Sequence, residues 1–204
     1  MQKEQEYANI VGTARLKKFG QFFTPYEIAD FMTQWVIQKH GTVLDPAVGN
    51  SVFFNSILRL EENSRPMVGY EVDDNILSFF GTVPGSVVHN EDFLLADWST
   101  KHDCIICNPP YNKFQSIGQR DLLYEEFYEH TGISFTKYTN QYILFLIKSL
   151  YQLKANGRLA FIIPSEFLNS KYGDKVKELL LKDGILRAVV NFQNDRDIFF
   201  NSMT

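Results

Sequence analysis

The run Asp103 to Cys107 ends in Asn108-Pro109-Pro110-Tyr111, placing an amide, two prolines and a phenol ring at the edge of a core. Consecutive prolines hold the backbone and remove two N–H donors. What remains is an acceptor array: the Asn108 side-chain oxygen and the Pro109 carbonyl. Such a pair suits a planar amino group with two protons to donate. Accepting both hydrogen bonds favours pyramidalisation of that nitrogen as its lone pair attacks an electrophile. Tyr111 adds a face on which a planar substrate can stack. Taken alone, the four residues are equally a stiff turn.

Three segments upstream change that balance. Asp45-Pro46-Ala47-Val48-Gly49-Asn50-Ser51 reads as a strand-to-helix turn whose small residues let the backbone approach a ligand. Gly69-Tyr70-Glu71-Val72-Asp73 ends a second apolar run. An acidic residue there can accept hydrogen bonds from both hydroxyls of a ribose, and Glu71 or Asp73 could do so. Asn90-Glu91-Asp92-Phe93 ends a third, with a carboxylate for an adenine amino group and a ring to cover the base. Each segment is ambiguous, but together they supply what an adenosine-containing cofactor needs.

The elements that must position these residues alternate along the chain. Short apolar runs at Thr42–Leu44, Met67–Tyr70, Ser86–Val88, Asp103–Cys107, Leu159–Ile163 and Leu186–Phe192 read as strands. Helical patterns surround Asn140–Lys154 and Asp174–Lys182. Thr24 is placed as an N-cap, with Pro25 at the first helical position and Glu27 reaching back in a capping box. Ile28, Phe31, Met32, Trp35 and Val36 follow on one helical face. The alternation predicts an α/β domain with a mostly parallel sheet covered by helices on both faces, and ligands beyond the carboxyl ends of the strands. Residues 1–19 read as a loosely held helical arm, residues 20–204 as the domain, and residues 112–139 as an irregular insertion over the site.

Composition excludes some classes. With 204 residues there is room for one large domain, and a formal charge of -4 gives no general basic footprint for nucleic acid. The 18 Phe, 10 Tyr and 2 Trp fill a core and leave rings for stacking. Cys104 and Cys107 have no second pair, and His40, His89, His102 and His130 lack metal-ligand spacing. Two thiols in a buried strand and no metal are expected. The longest apolar stretches are too short to cross a bilayer, and the start carries no signal-peptide core, so a cytoplasmic location is expected.

From about Lys18 onward the sequence resembles the amino-terminal catalytic domain of adenine-N6 DNA methyltransferases of restriction-modification systems, in the class whose cofactor motifs precede the catalytic one. The resemblance implies a Rossmann-like S-adenosylmethionine-dependent methyltransferase fold. Gly20-Gln21-Phe22-Phe23-Thr24-Pro25 is similar to the motif that closes over the methionine moiety, so Phe23, Thr24 and Pro25 become cofactor residues. Asp45, Pro46, Ala47 and Gly49 match the cofactor loop, Glu71 with Val72 the ribose site, and Asp92 with Phe93 the adenine edge. Asn108, Pro109, Pro110 and Tyr111 match the catalytic tetrapeptide, with Asn first as in adenine enzymes. Phe199 or Phe200 matches an aromatic that packs on a base flipped out of duplex DNA.

Two departures stand out. Ser51 occupies a position where the family has glycine, and the last strand and a target-recognition domain are expected to lie outside this chain. Methyl transfer to DNA adenine, with a recognition domain or subunit supplied elsewhere, is the reading the resemblance implies. Asn-Pro-Pro-Tyr also suits a protein glutamine amide or an RNA base, and an idle cofactor-binding or DNA-binding fragment needing a partner is a further alternative.

Overall fold

The computed structural model describes residues 2–61, 65–112, 117–165, 167 and 174–192. Helices α1 (Gln2–Val11) and α2 (Thr13–Phe19) precede α3 (Tyr26–Val36). Then β1 (Val43–Asp45), α4 (Val52–Leu60), β2 (Met67–Tyr70), α5 (Asp74–Phe80) and β3 (Ser86–His89) alternate. A 3-10 turn, Phe93–Leu95, leads to β4 (His102–Cys107), α6 (Ile117–Thr131), α7 (Gln141–Gln152), β5 (Leu153–Phe161) and α8 (Asp174–Leu181), which runs into a second 3-10 turn, Lys182–Gly184.

The strands form one parallel sheet in the order β3-β2-β1-β4-β5, registered by Val43 opposite both Met67 and Cys104. Strand alternation divides its side chains. Val43, Cys104 and Ile106 join Ile28, Val36 and Phe53 from α3 and α4 in one core. Leu44, Ile105 and Cys107 join Phe127, Ile143 and Phe145 from α6 and α7 in another. Helices therefore cover both faces, and both cysteines are buried in β4. Gly69 in β2 is required by close packing, because a Cβ there would lie 2.1 Å from Val48 Cγ2.

Several local expectations change. Thr24 makes no cap: the position before α3 is Pro25, with no side-chain capping bond, because the Thr24 hydroxyl is engaged by Asn108. On α3 the buried face is Ile28, Ala29, Met32, Thr33 and Val36, whereas Phe31 and Trp35 are exposed. Trp35 is instead covered by the Arg158 guanidinium, 4.3 Å from its ring centroid. The strand expected to start at Leu159 starts at Leu153, directly after α7, and ends at Phe161. Residues 112–139 contain α6, anchored by buried Leu123 and Phe127 one helical turn apart.

Leu186–Phe192 forms no strand among the described residues, and Val189 is 62% exposed there. A strand needs a neighbour to satisfy its ladder, and none is described beside it. The amino-terminal helices, in turn, are not loosely held. Tyr7, Ala8 and Leu16 form a third core with Phe23 and Ile76, tying α1 and α2 to α5. Among the described residues no helix is long and apolar enough to cross a membrane.

Candidate functional site

The carboxyl ends of β1, β2, β3 and β4 open into one cleft, roofed by residues 19–24. Pro46, Ala47 and Gly49 from the first turn, Glu71 and Val72 from the second, Asp92 and Phe93 from the third, and Asn108 and Pro110 from the fourth all line it. Phe23 and Thr24 close it from above. Asp45, Pro25, Pro109 and Tyr111 do not line it. Phe199 and Phe200 lie outside the described residues.

The turn after β1 is organised by two acidic side chains. Asp45 is fully buried beneath it, with Oδ1 accepting from the Ala47 N–H at 3.1 Å and Oδ2 unpartnered. Burial pushes its pKa up to about 8, against the opposing Ala47 bond. Glu71 reaches across from β2 and accepts from the Gly49 N–H at 2.9 Å and the Asp73 N–H at 2.9 Å. Burial raises its pKa, with those two amides acting in the other direction. Ser51 ends the turn at φ 61°, the left-handed region where the family pattern has glycine, and precedes α4.

Glu71 and Asp73, interchangeable in sequence, separate here. Glu71 borders the cleft. Asp73 is buried at 1% exposure and turned the other way. It accepts from Tyr7 Oη at 3.2 Å, Arg15 Nη2 at 2.6 Å and Gln21 Nε2 at 2.8 Å, and caps α5 through the Asn75 N–H. Glu4 adds a second tie by accepting from Asn50 Nδ2 at 3.0 Å. Local spacing cannot reveal these contacts, since a carboxylate in a turn reads as solvated until its distant partners are placed.

Asp92 caps the 3-10 turn, accepting from the Leu94 N–H at 2.9 Å, and burial raises its pKa. The Phe93 ring is packed against Tyr70 and Phe145, each at 5.4 Å between centroids. This places a carboxylate and a ring side by side on the wall of the cleft.

Asn108 occupies the junction between β4 and the roof. Its Nδ2 donates to the Phe22 carbonyl at 2.9 Å and to Thr24 Oγ1 at 3.0 Å, while its Oδ1 accepts from Tyr111 Oη at 2.7 Å. The amide is thereby oriented along its whole length. Further ties run between the same two segments. Asn112 Nδ2 donates to the Lys18 carbonyl at 2.9 Å, and Phe22 stacks on Tyr111 at 5.3 Å. Gly20, at φ 62°, allows this closeness, because a Cβ would meet the Tyr111 nitrogen at 3.0 Å. Burial raises the Tyr111 pKa, so its hydroxyl is a donor at any ordinary pH.

A parallel sheet with helices on both faces, a turn organised by acidic residues after β1 and β2, and a cleft at the strand ends define the class. This is the fold of S-adenosylmethionine-dependent methyltransferases. Similar solved structures agree: the methyltransferase subunit of a type I restriction-modification system from Streptococcus thermophilus superimposes with a TM-score of 0.62 at 24% identity, covering 80% of this chain and 39% of that one. A Listeria monocytogenes protein assigned to the class I S-adenosylmethionine-dependent methyltransferases gives 0.61 at 21% identity, covering 78% and 51%.

Residues 73–199 match the Eco57I restriction-modification methylase family, and the chain belongs to that family. It is 38% identical to the type II methyltransferase M.AccI of Acinetobacter calcoaceticus over 98% of this chain and 38% of that protein. It is 29% identical to the type II methyltransferase M.HincII of Haemophilus influenzae over 88% and 34%. The chain thus spans little more than a third of the length of these relatives. S-adenosylmethionine is the cofactor of the class, and the polar groups of the cleft fit it: the half-buried Glu71 carboxylate on its wall clamps the Gly49 and Asp73 amides.

Proposed function

We propose that this chain is the catalytic part of a cytoplasmic enzyme that methylates N6 of adenine flipped out of DNA. The observation that carries the reading is Asn108, which opens onto the same cleft as Glu71 and Asp92 while its amide is pinned to the roof. When bound, S-adenosylmethionine supplies an electrophilic methyl group on a sulfonium sulfur. The residues do the rest. Glu71 accepts from the ribose hydroxyls, Asp92 from the adenine amino group of the cofactor, and Phe23 and Thr24 close over its methionine end.

On the substrate side, the Asn108 Oδ1 and the Pro109 carbonyl accept hydrogen bonds from the two N6–H groups. Because Phe22 and Thr24 take both protons of the Asn108 amide, the oxygen is the end left to serve as acceptor. Pro110 keeps the turn stiff and Tyr111 offers its ring to the base. Catalysis then rests on proximity and orientation. Base flipping costs on the order of a few kcal/mol, which stacking on Tyr111, and on Phe199 as the resemblance implies, offsets at about 1 to 3 kcal/mol per base. A recognition domain or subunit outside this chain would read the DNA sequence.

Titration with S-adenosylhomocysteine tests the cofactor half: Glu71→Ala and Asp92→Ala should each weaken binding at least about tenfold, the loss of one good hydrogen bond. Methyl transfer to unmodified DNA tests the other half. Asn108→Ala should lower kcat by about a hundredfold or more, the scale of losing one oriented polar contact at a reacting group, while the cofactor Kd stays within about threefold. Normal kcat with weakened cofactor binding would refute the role given to Asn108.

A further inference from the structure

Lys148 lies in the middle of the apolar helix α7 with 0% exposure. A methionine would fill the same space without the penalty of burying an ammonium group. Its Nζ donates to the main-chain carbonyls of Leu94, at 3.2 Å, and Ala96. One turn along α7, buried Gln152 donates from Nε2 to the Asp97 carbonyl at 2.8 Å. The same Nζ lies 5.1 Å from the Phe93 ring centroid and 4.8 Å from that of Trp98. Three carbonyl anchors, at Leu94, Ala96 and Asp97, and two rings therefore belong to the segment that begins with Asp92.

We propose that Lys148, seconded by Gln152, is a positioning residue of the cofactor site, clasping residues 94–97 so that Asp92 and Phe93 are held against the adenine ring. This deepens the reading of the cleft above and rests on it. The 3-10 turn is a single turn and cannot stiffen itself. Asp92 spends one oxygen on capping it, so any rotation of the turn swings the carboxylate that would accept the amino proton. The clasp removes that freedom from behind, out of contact with the ligand.

The test compares calorimetric affinity for S-adenosylhomocysteine with that for S-inosylhomocysteine, which has a carbonyl in place of the adenine amino group. Wild type should prefer the adenine form by about tenfold or more, the worth of one good hydrogen bond. Asp92→Asn should erase the preference. Lys148→Met should shrink it severalfold, Gln152→Leu should shrink it less, and Lys148→Arg should restore part of it. A purely structural lysine would lower the melting temperature, or both affinities equally, and leave the preference intact; that result overturns the proposal while Asp92→Asn shows the site itself to stand. Should Lys148→Met fail to fold, Gln152→Leu decides by the same ratio. Should Asp92→Asn keep the preference, the adenine-edge reading falls and the clasp's role falls with it.

Discussion

Tyr111 Oη donates to Asn108 Oδ1 at 2.7 Å while the Tyr111 ring lies against Phe22 with 20° between their planes. The acceptor expected to hold a substrate amino group is thus engaged, and one face of the stacking ring is covered. An incoming base would have to displace the hydroxyl and share the ring. Tyr111→Phe keeps the ring and frees the oxygen, so kcat on unmodified DNA should stay within about threefold or rise, since the lost hydrogen bond is one the reaction must break. Tyr111→Ala removes the ring and should weaken DNA binding by about 5- to 150-fold, the equivalent of one stacked base. Equal losses for the two variants would show that the hydroxyl itself is needed.

Asp73 couples the amino-terminal helices to the cofactor cleft. Burial opposes its ionisation, but the bonds from Arg15, Gln21 and the Asn75 N–H win and hold its pKa below the usual carboxylate range. A depressed carboxylate stabilises the fold above its unfolded pKa, and that contribution is lost as pH falls through the folded value. Arg15→Ala should therefore lower the melting temperature at neutral pH, with the difference from wild type shrinking below about pH 4. Tyr7→Phe should cost about 1 kcal/mol, one hydrogen bond, in a denaturant titration. Both should weaken S-adenosylhomocysteine binding, because Asp73 donates its own N–H to Glu71.

Ser51 carries a side chain at φ 61°. A non-glycine residue in that region costs roughly 1 to 2 kcal/mol. After the extra chain entropy of glycine, Ser51→Gly should gain about 1 kcal/mol, or 2–4 °C in Tm for a chain of this size. A loss of stability on calorimetry would mean that the buried Ser51 side chain contributes more than its backbone strain costs.

Lys148 also predicts a pH dependence. Burial lowers its pKa to about 8, against the pull of the facing carboxylates Glu126, Asp92, Asp97 and Glu91. The folded state then binds fewer protons than the unfolded state between about pH 8 and the ordinary lysine value, so this group makes stability rise with pH over that range. Cys104 and Cys107, whose thiol pKa values burial raises, act in the opposite sense, as does Tyr7 above about pH 10, pushed up to about 12 by burial and Asp73; wild type and variant share all three. Between pH 8 and 10, wild type should therefore gain stability relative to Lys148→Met. Parallel profiles would place the lysine pKa outside that window.

Much of the cleft was legible because its parts are local. A strand end, a turn rich in small residues and the carboxylate that follows are contiguous in the chain, and their chemistry can be read before they are folded. The order in which Asp45, Glu71, Asp92 and Asn108 follow one another along the sequence was enough to place them at one edge of a parallel sheet.

Contacts made over long separations were not legible. Phe22 and Asn108 are 86 residues apart, and nothing at either position announces the other. Thr24 has the sequence context of a helix cap, yet its hydroxyl serves Asn108, because a helix start with Pro25 before it leaves that side chain free to turn toward the tetrapeptide. Lys148 interrupts an apolar helix without a nearby carboxylate in sequence, so its carbonyl partners appear only when α7 is laid across residues 94–97. Sequence by itself determined which chemical groups the strand ends carry, since alternation and turns are short-range properties of the backbone. Tertiary structure decided which of two acids faces the cleft and what holds each group still, since packing and hydrogen bonding between distant segments depend on the complete three-dimensional arrangement.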